Sequence, residues 1–192
     1  MKKKSKIKEL TSTSKFLARE IVHYIGKSNK PISILQLCPS SHVITEAIIE
    51  KMNKEDSLTI YIMRQSCDIK IKKEIFSDKR VKIAYKNMET LVSKEKFDYI
   101  IIDFPINRFE PPIVSEMMNK LISLLKDDAI LAYYENINID RFKRKIFNDE
   151  KWKKSLILKQ LIINLLKNYE FKREKVFLNF PPLYVHYLHN RY

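Results

Sequence analysis

Five residues with polar or reactive side chains follow or interrupt two apolar segments of the chain. Gln36 lies inside the apolar run ISILQL, and Cys38, Ser40 and His42 come shortly after it. Asp103 directly follows a second apolar run, FDYIII. A carboxylate or histidine can move protons, and a cysteine at a helix N-terminus can have a lowered pKa. Acid–base or nucleophilic chemistry is therefore open to these residues, provided that the fold brings the two segments together.

Each of these residues also has a structural interpretation. Asp103 can cap a helix or close a loop, His42 can cap a helix or lie on the surface, and Cys38 can be a small buried residue. The histidines have no spacing typical of metal ligands, so no metal site is predicted. With 2 cysteines in the chain, neither a disulfide framework nor a zinc site is expected, and a reducing compartment is the default.

Apolar runs and helical segments alternate along the chain, which predicts an α/β domain with a mostly parallel sheet and helices on both faces. Two further strands, joined at Pro181 and Pro182, are predicted to form a closing hairpin. In the predicted helix 113–125 the residues expected to be buried are Ile113, Met117, Leu121, Leu124 and Leu125. The predicted strands are 32–37, 57–63, 81–85, 97–104 and 129–135, and the predicted helices are 14–26, 43–52, 67–76, 88–91, 113–125 and 152–169.

In such a sheet a ligand is expected beyond the carboxyl ends of the strands. A dinucleotide site of the usual kind is excluded because G-x-G-x-x-G is absent, and a P-loop is excluded because G-K-[ST] is absent. The chain has one glycine, Gly26, so a backbone position with positive φ elsewhere must use Asn, Asp or Ser at some steric cost.

The chain is strongly basic, with 37 Lys and Arg against 23 Asp and Glu and a net charge of +14. This favours an anionic membrane surface or phospholipid, nucleic acid, or an acidic protein as partner, although a lysine-rich composition can also serve solubility alone. Residues 1–13 are predicted to be a basic arm, and 14–192 a single domain in the cytoplasm or at a membrane periphery. The proposed anion-binding residues of the arm are Lys2, Lys3, Lys4, Lys6 and Lys8.

Four stretches, in order, resemble the class I S-adenosylmethionine (SAM)-dependent methyltransferases. The type they resemble most is the bacterial phospholipid N-methyltransferases, and more distantly the ribosomal RNA adenine dimethylases. The most particular feature is an N-x-P-P segment inside the closing hairpin. The stretches are SKFLAREI (14–21), ILQLCPSSHVITEAIIEKM (34–52), the segment from FDYIIIDFPINRF to LAYYEN (97–136) and VFLNFPPLYVHYLH (176–189). The resemblance implies a Rossmann-like methyltransferase fold with a seven-stranded sheet and SAM as the cofactor.

The resemblance also implies where the cofactor would bind, and most of those positions are substituted. Gln36 takes the place of the acid in the family's first motif. Cys38, Ser40 and His42 take the places of the glycines in that motif. The acid that would bind the ribose falls near Met63, where no carboxylate is available. The implied cofactor positions are Gln36, Cys38, Ser40, His42, Met63, Asn87, Met88, Phe104 and Pro105.

The loop after the fourth strand is closest to the family pattern. FPINRF resembles L-P-F-x-x-F, and Asp103-Phe104-Pro105-Ile106 faintly resembles the D-P-P-Y loop that orients an amine in amino-group methyltransferases. Asp103 is therefore the candidate catalytic residue. Tyr133, Tyr134 and Tyr184 would suit a pocket for a quaternary amine through cation–π contacts, or belong to the core.

Three functions remain open from the sequence. The first is an active SAM-dependent methyltransferase acting on a phospholipid amine or on RNA. The second is a pseudoenzyme that keeps the fold, lacks SAM and binds a partner through a basic surface. The third is altered chemistry in which Gln36, Ser40, His42 and Asp103 frame a different small ligand. The substitutions cluster at one site, and for that reason we favour the second.

Overall fold

A computed structural model describes residues 13–39, 41–63, 75, 77–86, 95–104, 106, 109–137 and 149–190. The described strands form one sheet in the order β3-β2-β1-β4-β5-β7-β6. Strands β1 to β5 are parallel, and β7 runs antiparallel to both β5 and β6. The strands are β1 (Ser33–Leu37), β2 (Ser57–Met63), β3 (Val81–Lys86), β4 (Phe97–Ile102), β5 (Leu125–Asn136), β6 (Glu170–Val176) and β7 (Leu183–His189).

The helices cover both faces of this sheet, as the alternating apolar pattern predicts. On one face α1 (Lys15–Ile21) and α2 (His42–Lys51) pack over Ile34 and Ile101. On the other face α3 (Pro111–Ser123) and α4 (Asp149–Tyr169) pack over a second apolar cluster. The central strands β1 and β4 have helices above and below, which is why their sequences are almost continuously apolar. The predicted fold class is confirmed.

Helix α1 is fixed to the sheet by tyrosine hydroxyls. Tyr99 donates to the carbonyl oxygen of Ile21 at 2.9 Å, and Tyr187 donates to Glu20 Oε1 at 2.9 Å. Burial raises the pKa of both hydroxyls above the ordinary value, so both remain donors at any physiological pH. Ser14 caps the start of the helix by accepting from Leu17 N at 3.2 Å.

Some element boundaries differ from the prediction. Helix α1 was expected to reach Gly26 but ends at Ile21, and the chain then turns until Gly26 adopts φ +78°. Ile113 was expected on the buried side of α3, yet it is exposed, and Val114 and Met118 take the buried positions beside Met117. Met117 and Leu121 are buried as predicted, so the difference at Ile113 is confined to the beginning of the helix. The predicted helices 67–76 and 88–91 fall mostly or wholly outside the described residues.

Positive φ occurs at two residues other than glycine among those described. Asp128, an acid as the sequence predicts for such a position, has φ +59° inside β5, where the register with β4 shifts, whereas Cys38 has φ +48°. A left-handed backbone costs a non-glycine residue about 1 kcal/mol. Cys38 was not predicted to carry this conformation, and it does so at the turn that leads from β1 toward α2.

The closing hairpin lies beside β5. Leu183 at the start of β7 is paired with Asn136 at the end of β5, and Ile137 N donates to the carbonyl oxygen of Pro182 at 2.9 Å. The β6–β7 turn is therefore at the carboxyl edge of the sheet, the same edge at which β1 and β4 end.

Candidate functional site

Four buried side chains form a continuous hydrogen-bonded chain at the carboxyl ends of β1, β4 and β5. Thr45 Oγ1 donates to Gln36 Oε1 at 2.9 Å, and Gln36 Nε2 donates to Asp103 Oδ2 at 3.0 Å. Tyr134 Oη donates to the other carboxylate oxygen, Asp103 Oδ1, at 3.3 Å. We call these four residues the Gln36–Asp103 network.

The parallel pairing of the strands explains why these residues meet. Gln36 is in register with Ile101, two residues before Asp103, so both polar side chains emerge on the same face of the sheet. The Asp103 amide also donates to the Leu37 carbonyl oxygen at 3.1 Å, which extends the pairing past the end of β4. The sequence places Gln36 and Asp103 at the same edge, and the structure brings them into contact.

The network joins groups of complementary hydrogen-bonding type. All four side chains are buried, and Asp103 has no solvent exposure. A carboxylate only accepts, and here each of its oxygens accepts from a protein donor. The amide of Gln36 donates on one side and accepts on the other. An ionised glutamate at position 36 could not donate to Asp103, so this contact depends on the amide of Gln36.

Cys38 lies next to this network and is buried. Its amide donates to the carbonyl oxygen of Tyr61 at 2.8 Å, which links the turn after β1 to β2. Its sulfur is held in a disulfide bond. The hypothesis of a reactive thiolate at Cys38 is therefore wrong, whereas its burial agrees with the structural interpretation. The left-handed backbone of Cys38 follows the path that a glycine at this position would allow.

His42 is the first residue of α2 and is partly exposed. Ser41 precedes it as the N-cap residue, but its side chain makes no capping hydrogen bond. Ser41 Oγ is buried and has no partner among the described residues. His42 is therefore the first residue of the helix, one position before the predicted start, and it is not the cap. Ser40 lies outside the described residues.

The loop after β4 turns inward. Phe104 packs edge to face against Phe109, with ring centroids 5.4 Å apart, and Ile106 is buried in the same cluster as Met117. The described part of the segment that resembles L-P-F-x-x-F thus belongs to the core beneath α3.

The strand tyrosines do not form one aromatic cage. Tyr133 stacks on His186 with ring centroids 4.8 Å apart, whereas Tyr134 is on the opposite face and donates to Asp103. Tyr184 is approached by the cations of Arg173 and Lys175. For Tyr133 and Tyr134 the core interpretation is confirmed. A shared pocket for a quaternary amine at these three residues is a wrong prediction.

Several predicted site positions have no described side chain. Met63 ends β2, where the backbone alone is described. The remaining predicted positions lie outside the described residues: Ser40, Asn87, Met88, Pro105, Lys2, Lys3, Lys4, Lys6 and Lys8. Among the residues that the structure describes, no three His, Cys, Asp or Glu side chains converge in a way that could hold a metal ion.

Thr45 and Tyr134 complete the network but were not predicted as a pair with Gln36 and Asp103. Thr45 is a polar residue on the buried face of α2, where the pattern calls for an apolar one. A buried polar residue needs a hydrogen-bond partner. The position of Thr45 on the helix that follows the strand containing Gln36 was therefore the one feature of the sequence that indicated this contact. Tyr134 was noted as an aromatic residue, but one sequence does not specify the strand register that connects its hydroxyl with Asp103.

The described residues do not fit SAM in the manner that the family resemblance implies. The position of the first-motif acid is an amide bonded to protein on both sides, and the first glycine position carries the buried, disulfide-bonded Cys38. The polar groups of the Gln36–Asp103 network satisfy one another. We therefore derive no reaction step through SAM.

No helix in the described ranges is both long enough and apolar enough to cross a membrane.

Solved structures of methyltransferases resemble this chain over most of its length, although no protein-family model and no curated protein sequence matches it. The CurJ carbon methyltransferase aligns with a TM-score of 0.59 at 12% identity, over 92% of this chain and 52% of its own. The N-methyltransferase NodS from Bradyrhizobium japonicum WM9 aligns with a TM-score of 0.56 at 12% identity, over 91% and 94%. NodS has also been solved with S-adenosylhomocysteine (SAH).

The PH0226 protein from Pyrococcus horikoshii OT3 aligns with a TM-score of 0.65 at 15% identity, over 90% of this chain and 89% of its own. This chain spans about half the length of the CurJ protein and most of the length of NodS and PH0226. At these identities the likeness concerns the fold. The chain has the Rossmann-like fold of the class I SAM-dependent methyltransferases, including their strand order and closing hairpin.

Proposed function

We propose that this protein is a non-catalytic member of the methyltransferase fold, which does not use SAM and binds a partner through a basic surface. The observation that carries the proposal is the Gln36–Asp103 network. In it, the position of the first-motif acid and the candidate catalytic carboxylate hydrogen bond to each other inside the protein. Both side chains are fully buried. Thr45 donates to the remaining oxygen of Gln36, and Tyr134 donates to the remaining oxygen of Asp103.

A cofactor at this site would have to replace bonds that the protein already makes. A ligand that took Gln36 or Asp103 as its partner would break a buried hydrogen bond. The cost of leaving such a group unsatisfied is about 1–3 kcal/mol for each, and more for a charged group. The resemblance gives no acid near Met63 to bind the ribose of SAM. The cofactor would therefore gain fewer hydrogen bonds to offset the cost of breaking those of Gln36 and Asp103. A fold kept without its cofactor, on a chain of net charge +14, suits a binding role.

Calorimetric titration of SAM and SAH into the full chain tests this proposal. We expect no heat of binding and no shift in thermal unfolding. The thermal measurement is sensitive enough, since a ligand that did bind, at about 100 times its Kd, would stabilise the folded state by about 2.7 kcal/mol. NodS, which has the same fold and has been solved with SAH, is the positive control. Binding at tens of micromolar or tighter would overturn the proposal.

One observation favours a second function, an active SAM-dependent methyltransferase. Cys38 keeps φ +48°, so the turn after β1 follows a path normally reserved for glycine even though the glycine is gone. Substrates for such an enzyme would be a phospholipid amine, by the hairpin resemblance, or RNA. If the titration detects SAM binding, methyl transfer to vesicles containing phosphatidylethanolamine is compared with transfer to RNA.

A further inference from the structure

The turn between β6 and β7 has its polarity inverted. We call residues 177–182 the hairpin tip. Phe177, Leu178 and Phe180 are 68%, 67% and 81% exposed, whereas Asn179, the one polar side chain among them, is 4% exposed. Apolar side chains normally bury themselves and asparagine normally faces water. A turn that does the reverse presents a contiguous apolar surface, which marks an interaction site.

The hairpin tip is held in this arrangement by hydrogen bonds of Asn179. Its Oδ1 accepts from Ser14 N at 3.0 Å, and its Nδ2 donates to the carbonyl oxygen of Pro181 at 2.9 Å. The buried amide thus connects the tip to the residue that caps α1. Because the tip is anchored from below, its three apolar side chains have no route into the core by a local rearrangement that keeps these bonds.

Two exposed basic residues precede the tip on β6. Arg173 and Lys175, on the strand that leads into it, are exposed, and their charged groups lie 5.0 and 5.8 Å from the Tyr184 ring centroid. Glu174, between them in sequence, points to the other face of β6 and pairs with Lys172. The contact of Asn179 with Ser14 also places the beginning of the described chain at the tip.

The tip occupies the carboxyl edge of the sheet, beside the end of β5. Asp103 and the rest of the Gln36–Asp103 network are at the same edge. A surface that contacted the tip would thus face the part of the fold where methyltransferase-like proteins bind their ligands.

From these observations we infer that the hairpin tip inserts Phe177, Leu178 and Phe180 into the interfacial region of an anionic lipid bilayer. Arg173 and Lys175 bind the lipid phosphates around it. Apolar insertion combined with several basic residues is the pairing of forces that holds peripheral proteins on membranes. The inference deepens the proposed function by naming the partner of the basic surface, and it rests on that function only for the assignment of a binding role.

Co-sedimentation of the full chain with vesicles tests the inference. One set contains phosphatidylcholine only and the other includes about 30% phosphatidylglycerol. We expect binding to the anionic vesicles, weakened at high salt because screening removes the electrostatic contribution. The triple variant Phe177→Ser, Leu178→Ser, Phe180→Ser should bind at least about tenfold more weakly, since binding strength follows the buried apolar area.

Ile163→Ser is the matched control. Ile163 is also an exposed apolar residue, but it lies in the C-terminal half of α4. Its vesicle affinity should stay within about twofold of wild type. Both variants should keep the wild-type thermal unfolding temperature, which separates lost insertion from lost folding. As a positional readout, Phe180→Trp should show a blue-shifted fluorescence emission that brominated lipids quench.

Each alternative occupant gives a distinct result that overturns the inference. Absence of wild-type binding to anionic vesicles would leave the tip to a protein partner. A dimer without lipid that the triple variant dissociates would assign the tip to a second copy of the chain. Equal binding by wild type and triple variant, with loss only when the five arm lysines become alanine, would exclude insertion. SAM titration is independent of all these measurements, so failure of the membrane inference and failure of the proposed function are distinguishable.

Discussion

At the scale of single residues, the site depends on Gln36, whose side-chain amide uses both its nitrogen and its oxygen in buried hydrogen bonds. The amide nitrogen donates to Asp103 and the amide oxygen accepts from Thr45. An acid in its place would keep the second bond and lose the first. Because the region is buried, the difference between an amide and a carboxylate has a measurable energetic consequence.

We expect Gln36→Glu to lower the free energy of unfolding by about 2–4 kcal/mol near neutral pH, because two buried carboxylates would then face each other across a hydrogen-bond distance. Repulsion raises the pKa of the new pair above that of an unfolded glutamate. A group with a raised folded-state pKa is stabilising when protonated. The deficit should therefore shrink as the pH falls and grow as it rises through that pKa. Denaturant unfolding across pH measures this.

Gln160→Glu is the control for that measurement. Gln160 is exposed on α4, where it donates to Asn164 Oδ1 at 3.1 Å. Its substitution should change the free energy of unfolding by less than about 0.5 kcal/mol at any of the pH values tested. A Gln36→Glu variant as stable as Gln160→Glu at neutral pH would contradict the network.

Exchanging the two groups should restore what either change removes. Asp103→Asn alone replaces two acceptor oxygens by one, so the new amide can accept from Gln36 or from Tyr134 but not from both, and we expect the change to cost about 1–3 kcal/mol. In the double variant Gln36→Glu, Asp103→Asn, the introduced amide can donate to the introduced carboxylate and accept from the hydroxyl of Tyr134. The double-mutant cycle should then give a favourable coupling of about 1–3 kcal/mol. Strictly additive losses would show that the two side chains do not form the predicted bond.

At the scale of elements, Asp98 fastens three strands together at the amino edge of the sheet. Its Oδ2 accepts from Ser33 N at 2.7 Å, from Ser33 Oγ at 2.8 Å and from Lys126 Nζ at 2.7 Å. Burial alone would raise the pKa of Asp98, but the hydrogen bonds from Lys126 and Ser33 outweigh it and keep that pKa below its ordinary value. The carboxylate thus connects β1, β4 and β5.

Replacing Asp98 with asparagine should lower the free energy of unfolding by about 1–2 kcal/mol near neutral pH, a value reduced by its partial solvent exposure. A carboxylate whose folded-state pKa is depressed stabilises above its unfolded pKa, and loses that contribution as the pH falls through the folded value. The difference between wild type and Asp98→Asn should therefore shrink below about pH 4. Urea unfolding measures it, with the exposed Asp127→Asn as a control that should show no such pH dependence. A constant difference would contradict the role of the carboxylate.

The sequence was most informative where a whole element is buried. The run from Ser57 to Met63 was predicted as a strand with the bounds that the structure has, because apolar and β-branched residues dominate it. It was least informative where tertiary contacts choose between two local options. Helix α1 ends early as its chain turns toward Gly26, and Ile113 lies one position away from the buried stripe of α3. Likewise the position of Gln36 was predictable, but its partners depend on strand register that a single sequence does not encode.

At the scale of the whole molecule, charge is the dominant physical property. Ion pairs such as Lys120 with Glu116 and Arg80 with Asp78 are present among the described residues, but each involves one charge of each sign and leaves the net charge of +14 unchanged. Self-repulsion of a net charge of +14 opposes compaction. An anionic surface at the hairpin tip would relieve part of it, which connects stability to partner binding.

This connection predicts that salt stabilises the free protein. Raising NaCl from about 20 to 200 mM shortens the Debye length from about 20 Å to about 7 Å, and we expect a gain of about 1 kcal/mol, or about 2–4 °C in Tm. Differential scanning fluorimetry measures it. Replacing the five arm lysines Lys2, Lys3, Lys4, Lys6 and Lys8 with alanine should raise Tm at low salt and reduce its salt dependence, because like charges are removed. A Tm that falls with salt would mean instead that attractive ion pairs outweigh repulsion, and that the positive charges are balanced within the fold and are not held for an anionic partner.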